Sequence, residues 1–337
     1  MIELKHDSLV FTFPEVHPDA RLSIDFQRTL RIPDDDNDYP LPPGLGCFPL
    51  RHVDDHAARL PKEWIAHGGV MLPMYQSEAM WLNFDARWAD SRGTQYPFAV
   101  KIAAGKINAV TGKRWLKGLH RRQDYVVIPE QPWLDGYCVE KGIIRQFVAM
   151  PLGAGYTAEE QITGKAEHGG LQIAVYPMKR VAFERRFPKV ERRERYADMM
   201  PCMAAPSGMG LAPGGRMRQE IYEDPYDFED WDIENTSRCF VHIANSLVWR
   251  AATGENPPTT PPTAKEYTAA GMPWFEYYGG DAKALEGAKE LKGLKSVAKM
   301  GKKKGDVPIP ENETVAPEHI IALRKKLKEG QVREGVF

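Results

Sequence analysis

Over the first 180 or so positions the apolar residues come in short runs. They alternate with polar residues or stand between prolines and glycines, which is the period of strands rather than of helices. Residues 9–13 and 21–26 are two such runs, with Pro14 and Pro18 between them. The acidic stretch 34–38, followed by Pro40, Pro42, Pro43, Gly44 and Gly46, reads as a loop, because these residues favour turns and break both kinds of ladder. A short helix is expected over 55–60, with Asp54 as its cap. Residues 69–75 and 79–84, joined by the polar Gln76, Ser77 and Glu78, suit a hairpin. Residues 98–102 and 106–110 suit another around Gly105, and further strands are expected at 125–128, 137–139, 143–150 and 171–176. The intervals are too short for crossover helices, so a doubly wound α/β fold is disfavoured. Packed, mostly antiparallel sheets in a sandwich or barrel-like arrangement are expected instead.

The second half changes character. Residues 179–195 hold eight Lys and Arg against three Glu, and residues 220–234 carry eight carboxylates with no Lys or Arg. Between them, residues 199–217 are rich in Met, Gly and Pro and read as a loop. Residues 238–249 look like one more buried element, strand or helix. After the stiff, Pro-rich connector 256–263 the signal turns helical. Thr263 and Glu266 have capping-box spacing, and Gly271 can end that helix. Residues 317–328 give the clearest helical signal, with Pro317 and Glu318 at its start, Lys325, Lys326 and Lys328 in its last turn and Gly330 as its stop. Ile320, Leu323 and Leu327 form an apolar stripe there that has to bury on the body or on a partner. The chain therefore reads as α+β. A β-rich core over 1–250 carries a charged, Met-rich insertion at about 179–235, and 251–337 form a Pro-punctuated helical extension.

Composition changes this picture only by exclusion. Hydrophobic residues make up 42% and charged residues 27%, which is globular usage, and 337 residues are enough to bury a core without metal or disulfide. A formal charge of −1, from 45 basic and 46 acidic side chains, supplies no field for nucleic acid or anionic lipid, so neither partner is expected. Cys47, Cys138, Cys202 and Cys239 lie far apart with no C-x-x-C pair, which excludes the usual zinc-ribbon and thioredoxin-like spacings and reads as reduced thiols. The first residues carry charges where a signal peptide needs its apolar stretch. The longest charge-free stretch, 199–215, is broken by prolines and glycines and cannot be a clean spanning helix. A soluble, cytoplasmic protein is expected.

Four segments carry candidate chemistry. His52 and His56 stand four apart and on a helix would share a face able to hold a metal, with Asp54 or Asp55 as ligand or orienting partner. A cap at Asp54 would leave His52 outside the helix, and a third ligand would have to come from His67, His168 or His242. Gly153 to Ala158 fits G-x-G-x-x-A, but too few residues follow for a dinucleotide-binding unit, and Glu159 and Glu160 oppose a phosphate, so a capped turn is the better account. Glu130, Trp133 and Asp135 place an aromatic ring beside two carboxylates in a turn-rich stretch and are candidate ligand-binding residues; packing of Trp133 under the loop is the competing account. The basic run can neutralise phosphates, although the acidic segment after it can fold back and pair with it. No G-x-S-x-G, P-loop or H-E-x-x-H is present.

Several stretches together resemble an uncharacterised protein family of actinobacteria, other bacteria and filamentous fungi. They are residues 39–46, 97–102, 129–136 and 145–153 with 155–157, then 167–172 and 237–242. The resemblance carries no reaction with it; members are sometimes labelled membrane proteins, which the hydropathy of this chain opposes. The leading reading is a non-catalytic binding or self-assembly protein. It would self-associate as a homo-oligomer, or join a protein partner, through the 179–235 region and the 317–328 helix, and it calls for no cofactor. The alternatives are a metal-dependent hydrolase using His52 and His56, and a protein binding small molecules in a sheet-lined pocket around Trp133.

Overall fold

The computed structural model describes residues 1–189, 209–278, 282–309 and 312–324. Among these residues, 17 strands join into one branching, mainly antiparallel sheet. Followed through its pairings, the sheet runs from Ser8–Thr12 to Arg21–Thr29, Ala79–Ala86, Ile143–Pro151 and Met209–Arg218. It continues through Ser237–Ala244 and Leu171–Pro177 to Phe98–Ala104. Phe13, just beyond the first of these strands, meets Phe98 of the last with ring centroids 6.1 Å apart. The sheet therefore curls over one core, in which Phe11, Leu22, Phe26, Ile102, Ile173 and Leu211 are fully buried. Each such side chain contributes about 1.5–3 kcal/mol by leaving water. The fold is α+β with a β-rich core, as the alternating runs imply, and short helices dominate the chain after Ala244.

Two strands show how the sequence builds both a core and a face. In Arg21–Thr29, Leu22, Ile24 and Phe26 point inward while Ser23, Asp25 and Gln27 stay half-exposed. Phe98–Ala104 is buried along its whole length, Lys101 included. The Lys101 ammonium lies 2.6 Å from Asp124, donates to the carbonyls of Leu116 and Gly118, and sits over the Trp115 ring. A buried lysine satisfied on every side ties the 111–124 loop to the sheet and has no capacity left for a ligand.

Several expectations are overturned. Residues 79–84 do not form a hairpin with 69–75: Val70–Pro73 pairs in parallel with Ser237–Ala244, and Ala79–Ala86 pairs with Arg21–Thr29. Gln76 and Ser77 do form a turn, but Glu78 is an anchor rather than a solvent residue. Glu78 is buried, accepts from the Tyr75 backbone at 2.8 Å and pairs with Arg28 at 2.7 Å. Residues 209–217, read as the end of a Met/Gly/Pro loop, belong to the central strand Met209–Arg218; positions 199–208 of that loop lie outside the described residues. Its glycines admit close neighbours: a Cβ at Gly215 would stand 2.2 Å from the Pro33 carbonyl oxygen, and one at Gly214 2.5 Å from Val148. The expected helix at 317–328 is, in its described part, the strand Ile320–Arg324, paired in parallel with Trp274–Tyr278; positions 325–328 lie outside the described residues. The cap at Asp54 is absent, since a 3-10 helix Asp54–Arg59 begins after Val53 with no side-chain cap. A further helix, Lys62–His67, follows it unannounced. By contrast, the capping box of Thr263 with Glu266 is formed as its spacing implies. No helix among the described residues is long and apolar enough to cross a membrane.

Candidate functional site

The two candidate metal ligands fall on different elements. His52 is exposed on the strand Arg51–His52, opposite Val70, while His56 is half-buried inside the 3-10 helix. Between them Val53 is buried and its N–H donates to the Gly69 carbonyl at 3.1 Å, which fixes the break between strand and helix. Among the described residues no three His, Cys, Asp or Glu side chains are grouped so as to hold a metal ion.

The G-x-G-x-x-A segment is a capped turn. Thr157 caps the helix Ala158–Thr163 in a complete capping box with Glu160, and Glu160 also accepts from the Gly155 N–H at 2.7 Å. That N–H is already engaged by a carboxylate, so the turn is no open phosphate cradle.

Glu130, Trp133 and Asp135 do lie together, but in unequal roles. Asp135 is sealed from solvent; Gln219 donates to its carboxylate at 2.7 Å and accepts from its backbone N–H at 3.1 Å. Burial pushes this carboxyl up to about 7, with hydrogen bonds from Gln219 and Trp133 opposing the rise. Glu130 is half-buried and lies near Tyr226 and Tyr277, whose hydroxyls are raised first by burial and then by its charge. Trp133 is only half-buried, with its ring edge-on to Tyr277 at 4.7 Å and to Trp81 at 6.4 Å. An acid/base role for Glu130 with Asp135 has no support, because Asp135 has no path to a substrate.

Trp133 stands at the end of a polar row that crosses four strands. Cross-strand partners share a face, and the register places Ser8 opposite Asp25, Asp25 opposite Asn83, and Asn83 opposite Trp133. Asn83 donates to Asp25 at 2.9 Å, and Gln27, one position further along the same face, donates to the other Asp25 oxygen. Gln27 is opposite Trp81 and Cys47, and its amide reaches the Cys47 sulfur at 2.9 Å. Ser8, Asp25, Gln27, Asn83, Trp81 and Trp133 are all half-buried, so none of the row is sealed from solvent. Asp85 lies diagonal to Asp25 on the same face; desolvation and then the Asp25 charge raise its carboxyl. Of these residues sequence reasoning singled out Trp133 alone. The alternation of residues 21–26 marks a two-faced strand, but which strands lie beside it is decided by tertiary pairing.

A second arrangement gathers the histidines considered as distant ligands. His67 lies 6.2 Å from His168 and 6.1 Å from His242, ring centroid to centroid. The exposed His67 ring stacks on Phe240 at 4.6 Å, and His242 is stacked between Phe240 at 4.3 Å and Trp64 at 4.6 Å. His168 and His242 line a cleft of about 80 Å³ with Trp64, Leu152, Met209 and Ile243. The 167–170 turn is clamped by Glu159, whose carboxylate accepts from the N–H groups of Glu167, His168 and Gly169. Gly170 is required at its end, with φ of +54° and a Cβ position 2.5 Å from the Val241 carbonyl oxygen.

The opposed charge blocks pair within the chain in their described part. Arg185 reaches Asp230 at 2.7 Å, and Arg186 reaches both Asp230 and Asp227. The basic run beyond 189 lies outside the described residues. No family model matches the chain, and neither a curated protein nor a solved structure does.

Proposed function

We propose that this chain is a non-catalytic binding protein whose open sheet face, around Trp133, holds a sugar ring. The observation that carries the reading is the row Ser8, Asp25, Asn83 and Trp133, with Trp81 and Gln27 alongside. A pyranose offers an apolar C–H face and a rim of hydroxyls. Indole rings suit the first, while a carboxylate flanked by amides suits the second, because each hydroxyl both donates and accepts. The carboxylates Asp25 and Asp85 disfavour phosphate-bearing ligands, and the polar row disfavours a purely apolar one. Asp135 serves as a positioning residue beneath Trp133, one of the groups that hydrogen-bond its carboxyl.

The test is titration with a panel of neutral methyl pyranosides and their short oligomers, followed by tryptophan fluorescence. A saturable change is expected, with monosaccharide affinity near the millimolar range, about 4 kcal/mol. Trp133→Ala is expected to weaken it tenfold or more while leaving the melting transition cooperative. A flat response across the panel from well-folded protein would remove the reading. A hydrolytic variant of it is favoured by the raised Asp85 carboxyl beside Asp25. Turnover of p-nitrophenyl glycosides that is lost in Asp85→Asn would establish that variant instead.

A further inference from the structure

The formal charge of −1 averages over the whole chain and conceals one strongly basic stretch: positions 102–123 hold six Lys and Arg and no Asp or Glu. Lys113, Arg114, Lys117, Arg121 and Arg122 are exposed, and among the described residues only Arg121 of these has a carboxylate partner, Glu229. Among the carboxylates that border the stretch, Asp124 is taken by Lys101 and Glu167 by Lys165, while Glu290 stands beside Gly112. Like charges gathered in this way repel one another and are complementary to a partner of opposite sign.

Apart from that of Arg121, the charged heads take no part in building the loop that carries them. The Trp115 N–H donates to the Lys106 carbonyl at 2.7 Å, and the Asn108 N–H donates to the Lys113 carbonyl at 2.8 Å. The Asn108 side chain accepts from the N–H groups of Val110 and Thr111 and donates to the Asp124 carbonyl. The Asp124 carboxylate accepts from the His120 N–H at 3.2 Å, and the Lys101 ammonium donates to the carbonyls of Leu116 and Gly118. These anchors are backbone groups and the buried side chains of Lys101, Asn108 and Asp124, so the loop holds its shape with its cations left to solvent. Near its middle, between Arg114 and Lys117 in the sequence, Leu116 is 54% exposed.

We propose that this loop is a docking surface for an anionic lipid membrane: Leu116 enters the interface, and the cations around it lie over the charged headgroups. Contact of this kind needs an apolar side chain set among Lys and Arg, and it needs no spanning helix. It is separate from the sugar face, with which it shares no residue. Nucleic acid fits the same charge less well. Single strands are held by stacking on exposed aromatic rings. The tryptophan of the loop, Trp115, is half-buried, and the Lys101 ammonium already sits over its ring at 5.1 Å. A duplex would use the cations alone and leave the exposed Leu116 with no counterpart among its phosphates.

The experiment is co-sedimentation of the full chain with phosphatidylcholine vesicles, with and without phosphatidylserine. Binding is expected only where phosphatidylserine is present, and it is expected to weaken as salt is raised. Each cation near such a surface strengthens binding about fivefold, so Lys113→Ala, Lys117→Ala and Arg122→Ala combined are expected to cost roughly a hundredfold. Leu116→Ser removes the inserted group at unchanged charge and is expected to cost about tenfold. None of these changes touches an anchor of the loop, so each variant is expected to melt as the parent does. No binding to phosphatidylserine vesicles by folded protein, or binding indifferent to either variant, would overturn the proposal. Duplex DNA bound in place of vesicles, lost in the triple variant and kept in Leu116→Ser, would replace the membrane with nucleic acid.

Discussion

Asp135 shows why a carboxylate named from sequence can be placed well and understood badly. Its neighbourhood with Trp133 is legible because the two residues are only two apart in the sequence. Its burial is not legible, because it depends on Gln219, 84 positions away. The buried acid has a pH signature. Its folded value is about 7 against an ordinary 3.8, so its contribution to stability is fully present below pH 3.8 and is lost as the pH rises through 7. Asp135→Asn keeps an oxygen for Gln219 and cannot ionise. It is expected to match the parent near pH 4 and to exceed it by roughly 2–4 kcal/mol at pH 8, since a tenfold change in a proton's affinity is worth about 1.4 kcal/mol. Urea unfolding at the two pH values measures this, and an equal or lower stability of the variant at pH 8 would contradict it. The histidines were nameable in the same limited way. His67, His168 and His242 stand out by type, but only the stack on Phe240 and the turn at Gly169 and Gly170 bring them to one cleft.

At the scale of elements, the strand period of the first half is readable as alternation where one face is buried, as in Arg21–Thr29, and as a short apolar run where both faces are, as in Phe98–Ala104. Partner choice is not readable. The apparent hairpin at 69–84 has a polar spacer of the right length, but burying Glu78 against Arg28 sends the two strands to different neighbours. The strand Met209–Arg218 hides behind its glycines, which locally resemble turn residues and serve here to let other backbone approach. Gly215→Ala would set a methyl 2.2 Å from the Pro33 carbonyl oxygen, where backbone on both sides resists movement. A loss of about 2–4 kcal/mol is expected, in the range of overpacking and strain in a buried strand. Chemical denaturation of the variant checks it, and a loss under about 0.5 kcal/mol, the scale of an ordinary surface substitution, would mean that Pro33 yields freely. At 320–324 helical spacing and end charges point one way, while Ile320 and Ile321 are β-branched and an unpaired edge at Trp274–Tyr278 lies within reach. Strand pairing prevails there, and Ile320 and Leu323 remain 43% and 40% exposed, so the stripe that suggested a docking helix is not buried as one.

At the scale of the whole molecule, the residues after 250 are bound to the β-rich core at many separated points. Arg28 donates to the Thr259 carbonyl at 2.6 Å, Tyr75 to that of Pro258 at 2.7 Å, and the Ala298 N–H to Asp34 at 2.7 Å. Leu41 exchanges backbone hydrogen bonds with Phe275, and Trp274 is fully buried with its ring 6.3 Å from that of Tyr39. Tyr277 of the same strand is the ring packed on Trp133, so the C-terminal segment helps to shape the proposed sugar face. If these contacts make one cooperative unit, damage in the extension is felt throughout. Trp274→Ala, which empties a large buried site, is expected to cost about 3–5 kcal/mol. The loss is expected in a single transition, coincident by far-UV circular dichroism and by the fluorescence of the remaining tryptophans. Two separated transitions, with the early one confined to the extension, would show that the segment docks on a core already stable without it. In that case sugar binding at Trp133 would survive the first transition with altered affinity, whereas in the cooperative case it disappears with the fold.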